Sequence, residues 1–78
     1  MTPVDPADRQ PKGDHNRRLS LGMEVDDFAA EAGLTPEEVY NYEMTSVDYE
    51  FDLEVARKYG EALDRLEAHP PATQRVRN

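Results

Sequence analysis

The sequence contains no cysteine and no tryptophan, and only two histidines. Without cysteine there is no disulfide framework and no thiolate metal site. That is compatible with a reducing compartment. No basic-then-apolar run follows Met1, so no secretory signal is read and the expected location is cytoplasmic. Apolar runs are only a few residues long, too short to span a membrane. A chain of 78 residues offers one domain at most. It leaves little material to wall off a catalytic pocket.

What is present is acid. Seventeen Asp and Glu face nine Lys and Arg, for a net charge of -8. That balance argues against a protein that coats nucleic acid. The distribution is more informative than the total. From Leu19 to Ala56 there are eleven acids and no Lys or Arg. The flanks are balanced or weakly basic, with Arg9, Lys12, Arg17 and Arg18 before the block and Arg75 and Arg77 near the end.

Pro3, Pro6, Pro11 and Gly13 punctuate the start, and Pro70 and Pro71 interrupt the other end. Such polar segments bury too little surface to offset the entropy of ordering. The sequence therefore predicts a disordered arm over 1–15, a folded domain over 16–68 and a disordered tail over 69–78.

Within the domain the period is helical. Met23, Phe28, Ala29 and Ala32 fall on one side of a 3.6-residue helix, and Gly33 suits its C-cap. Thr35-Pro36-Glu37-Glu38 carries the features of a helix start: a capping hydroxyl, proline at the first position and Glu38 to close a capping box. Val39 and Tyr42 continue the stripe. From Phe51 the period returns through Leu53, Ala56, Tyr59, Leu63 and Leu66, with Asp52 as N-cap. Glu54 and Lys58, and Glu61 and Arg65, are spaced for ion pairs. Gly60 inside this helix costs about 1 kcal/mol and predicts a close backbone contact. The expected core is Phe28, Leu34, Val39, Tyr42, Leu53, Ala56, Tyr59 and Leu63, with the Tyr42 hydroxyl seeking water or a partner. No stretch alternates with period two. The expected fold is all-α, a small domain of three to four helices around a helix-turn-helix.

Phe28, Ala29, Gly33, Val39, Tyr42 and Glu43 resemble the helix-turn-helix of the Cro/CI (XRE) repressor family. The Tyr42-Glu43 ending also resembles MerR-type regulators, whose basic wing is missing here. The resemblance covers about half of the chain and implies a DNA-binding scaffold. This sequence departs from it on the docking face. Val25 stands where the family often has Gln, and the exposed side of the second helix offers Glu37, Glu38, Tyr40 and Asn41. Carboxylates there oppose the phosphate attraction behind most non-specific affinity. The family's long first helix is expected to be short or absent, since only Leu19 and Leu21 are apolar between residues 14 and 21.

Two functions follow as expectations. In the first, the chain is an antiactivator that binds and sequesters a transcriptional activator. Its interface would be Asp26, Asp27, Glu37, Glu38, Tyr40, Asn41 and Met44. In size and acidity it resembles small antiactivators of the QseM type, from bacterial quorum-sensing and mobile-element circuits, which implies LuxR-type regulators as partners. In the second, it is a DNA-binding repressor reading bases with Tyr40 and Asn41 and phosphates with Arg17 and Arg18. A monomer or weak dimer is expected. No enzyme, cofactor or metal is read from the sequence. His15 and His69 are scattered, and the run Asp48, Glu50, Asp52, Glu54 has Leu53 where a calcium loop needs Gly.

Overall fold

The computed structural model describes residues 9–46 and 50–70. Residues 1–8 of the expected arm, 47–49 of the loop with Asp48 and Tyr49, and 71–78 of the expected tail with Arg75 and Arg77 lie outside the described residues. Among the described residues there are four helices, α1 (Pro11–Ser20), α2 (Val25–Ala32), α3 (Pro36–Glu43) and α4 (Leu53–Ala68). There is no strand among the described residues.

The helix ends follow from local chemistry. Gly33 adopts the left-handed conformation at φ 73°. Leu34 N–H then donates back to Ala29 O at 2.9 Å, closing α2. Thr35 Oγ1 accepts from Glu38 N–H at 3.1 Å while Glu38 Oε1 accepts from Thr35 N–H at 2.9 Å, completing the capping box that starts α3. Asp52 Oδ1 caps α4, accepting from Glu54 N–H at 2.8 Å and Val55 N–H at 3.2 Å.

Tyr59 of α4 is the hub of the core. Its ring lies 4.5 Å from that of Phe28 on α2 and 4.9 Å from that of Tyr42 on α3. Val39, Ala56 and Leu63 are wholly buried around it. Leu21, Ala29, Val55, Ala62 and Leu66 complete the cluster, with Met23, Val25 and Leu34 packed partly against it. The expected core therefore holds, with two corrections. Leu34 is only partly buried, and Leu53, the first residue of α4, is 54% exposed. Phe51 takes the inward place instead, edge-on to Tyr42 at 5.3 Å.

The expected start of the domain at residue 16 is too late. Helix α1 begins at Pro11 and runs for 10 residues, so the first helix is present. Its inward face, Asp14, Arg18 and then Leu21, is mostly charged. An apolar-period search cannot see such a face. Of the two apolar residues there, Leu21 is buried and Leu19 points outward at 54% exposure.

Three further expectations are corrected by partners. Glu54 pairs with Arg57, two turns of α4 being tied as Arg57 also reaches Glu61 at 3.0 Å. Arg65 turns to Glu31 of α2, donating to its carbonyl at 2.7 Å. At Gly60 the close neighbour is a side chain. A Cβ there would sit 2.5 Å from Arg9 Nη1, so the glycine makes the notch into which Arg9 packs.

Candidate protein-interaction surface

Helix α3 separates its residues by spacing. Val39, Tyr42 and Glu43 turn inward and are buried. Glu37, Tyr40, Asn41 and Met44 fall at i, i+3, i+4 and i+7, one outward face of the helix. All four are exposed, Tyr40 at 57% and Met44 at 53%. The structure thus brings together four of the expected interface residues. Tyr40 and Met44 lie one turn apart on this face, so an aromatic and an apolar side chain stand together in water beside Glu37.

Glu38 is exposed but engaged, since its carboxylate closes the capping box. Asp26 and Asp27 are exposed in the first turn of a different helix, α2, where they complement its dipole. Val25 packs partly against the core.

Both arginines of the expected DNA contact pair with acids of this chain, Arg18 in the interior and Arg17 at the surface. Arg18 donates from Nε to Glu43 Oε2 at 2.6 Å, from Nη2 to Glu43 Oε1 at 3.0 Å and from Nη1 to Met23 O at 2.7 Å. Its side chain is buried, so it cannot reach a phosphate. Arg17 donates to Glu67 at 2.7 Å and 2.8 Å and to Asp64 at 3.2 Å, bridging α1 and α4 at the surface. Those bonds lift the Arg17 pKa and hold the Glu67 carboxyl below the usual range. Glu43 is buried as the anchor of Arg18.

Behind α3 lies a polar network that sequence reading missed. Arg9 clasps Asp14 with two bonds, Nε to Oδ2 at 2.8 Å and Nη2 to Oδ1 at 2.9 Å. Tyr42 donates its hydroxyl to Asp14 Oδ2 at 2.6 Å. Tyr59 donates to Glu43 Oε2 in turn. His15 Nε2 lies 3.7 Å from Glu43 Oε1, from the rim. Two buried carboxylates thus face two arginines and two phenols. Among the described residues no buried side-chain nitrogen or oxygen lacks a partner. The only signal in the sequence was the spacing of Asp14, Arg18 and Leu21, which reads as a helix face only once Asp and Arg are admitted as inward residues.

A groove of about 290 Å3 opens where α3 meets the start of α4. It is lined by Glu38, Asn41 and Thr45 on one side and Glu50, Asp52 and Val55 on the other, with Tyr42 and Phe51. No spacing in the sequence could have found it, because the two sides meet only after folding. Among the described residues no cluster of three or more metal-ligating side chains is assembled. No helix among them is long and apolar enough to cross a membrane.

Comparison of the chain with protein-family models, with curated proteins and with solved structures returns no match.

Proposed function

We propose that this chain is a negative regulator of transcription that acts by protein–protein interaction, as an antiactivator sequestering a transcriptional activator. The observation that carries the reading is the outer face of α3. Tyr40 and Met44 stand exposed there beside Glu37, on a helix with no basic residue. Tyr is a frequent hot-spot residue at protein interfaces. The acid around it matches the basic DNA-contacting face of an activator and would speed encounter. Direct DNA binding is disfavoured because Arg18, one of its two expected phosphate contacts, is buried on Glu43, and Arg17, although partly exposed, already faces Asp64 and Glu67. A LuxR-type activator is the partner class that the sequence resemblance suggests.

The test is a titration of a purified LuxR-type activator, with duplex DNA run in parallel at low salt, where phosphate attraction is strongest. The expected outcome is activator binding that Glu37→Lys with Tyr40→Ala weakens about tenfold or more. Glu37 and Tyr40 make no capping bond, so the fold should survive the change. Salt-sensitive DNA binding by the wild-type chain, with no activator binding, would overturn the proposal.

A further inference from the structure

We infer that the groove between α3 and the start of α4 is an anchor site for one arginine side chain of the partner. The inference rests on the protein-partner reading of α3 for its biological occupant. Glu38, Glu50 and Asp52 converge on the groove from both sides, and among the described residues no Lys, Arg or His lines it. Two of these carboxylates are oriented by caps. Glu38 Oε1 is tied to Thr35 N–H, and Asp52 Oδ1 to Glu54 and Val55 N–H. No bond is made by Glu38 Oε2 or Asp52 Oδ2 among the described residues, so each has an acceptor to offer.

The aromatic lining selects guanidinium over ammonium. Tyr42 is buried and meets Phe51 edge-to-face at 5.3 Å, which leaves partly buried Phe51 as the ring that faces the groove. A planar guanidinium can stack on such a ring while its fork reaches carboxylates, whereas an ammonium is a compact, strongly hydrated point charge. The groove's volume suits one long side chain rather than a large ligand. Its position continues from the exposed face of α3, since Asn41 belongs to both. A basic helix laid along Tyr40 and Met44 could therefore set one arginine into it.

The probe is N-acetyl-arginine methylamide, titrated into the labelled protein at low salt and followed by amide chemical shifts. The lysine and citrulline equivalents serve as controls. Saturable shifts centred on Asn41, Thr45, Phe51 and Asp52 are expected, stronger for arginine than for lysine, with none for neutral citrulline. The triple variant Glu38→Gln, Glu50→Gln, Asp52→Asn keeps both caps, because Gln closes a capping box and Asn caps as well as Asp. It should weaken arginine binding about tenfold or more. Phe51→Leu, which leaves the charge unchanged, should erase the preference for arginine over lysine. Equal shifts from citrulline, or shifts that spread over Asp26, Asp27 and Glu37 without saturating, would overturn the assignment. This titration uses no activator. A chain that binds arginine in the groove but no activator keeps this site and removes the antiactivator reading.

Discussion

Arg18 and Glu43 meet where their side chains are almost wholly removed from water. Taking two ions out of water is costly, and only good geometry with further hydrogen bonds compensates. Here the geometry is bidentate, Met23 O takes a third bond from Arg18, and the Tyr59 hydroxyl reaches Glu43. The same arrangement repeats at Arg9, Asp14 and Tyr42. Removing one member leaves the other charge unpaired. Arg18→Met should therefore cost about 3–5 kcal/mol. Arg18→Met with Glu43→Leu should cost clearly less than the sum of the two single changes, although Tyr59 then loses an acceptor. Urea unfolding of the four proteins in a double-mutant cycle measures this. Additive losses would show that the two charges do not depend on each other.

The elements differ in what makes them helices. Helix α4 is a strongly amphipathic 16-residue segment, and its apolar stripe alone places it. Helix α1 has no such stripe. It is held by its charged inward face and by Arg17 reaching Asp64 and Glu67 on α4. The latter pairs are exposed and contribute little, so the buried charges carry most of its attachment. Helices α2 and α3 are short, with 8 residues each, and depend on how the turn between them is closed. Gly33 sits at φ 73° with nothing within 4 Å of where a Cβ would stand, so substitution there meets backbone strain alone. Gly33→Ala should cost about 1 kcal/mol. Thr35→Ala, which removes one half of the capping box, should cost about 1 kcal/mol as well. Thermal unfolding of the two variants checks this, and Gly33→Asn should recover part of the first loss because Asn tolerates the left-handed region.

For the whole molecule the decisive quantity is where charge remains after pairing. Among the described residues all five arginines, at positions 9, 17, 18, 57 and 65, are in ion pairs with acids. Glu37 and Glu38 of α3 are in no ion pair among the described residues, and α3 itself carries no basic residue to offset them. Charge also sets the pH response. Burial, reinforced by bonds to Asp14 and Glu43, pushes the Tyr42 and Tyr59 phenols well above their ordinary range. The native state keeps these protons at a pH where the unfolded chain releases them. Their contribution is full below about pH 10, the ordinary phenol value, and is lost as pH rises toward the folded-state values. Stability should fall above about pH 10 by up to about 1.4 kcal/mol per pH unit for each tyrosine. Melting temperatures from neutral to strongly alkaline pH measure the slope. Tyr59→Phe should flatten it by about half, and an unchanged slope would refute this origin.

What the sequence by itself determined is local. Gly33, the Thr35–Glu38 box and the Asp52 cap are decided by neighbours within a few residues, so their bonds were legible from residue types and spacing. The apolar stripes through Phe28, Val39 and Tyr59 were legible for the same reason, since burial of one helix face follows its period. The outward face with Glu37, Tyr40, Asn41 and Met44 is the complement of that stripe. Only the tertiary structure decided the fate of the charges. An arginine in a sequence reads alike whether it will meet a phosphate or a buried carboxylate. Arg18 and Glu43 are 25 residues apart, and Arg17 and Glu67 are 50 apart, so their pairing exists only once α1 lies against α3 and α4. The groove has the same origin, because its carboxylates come from α3 and from the segment that leads into α4, which folding sets side by side.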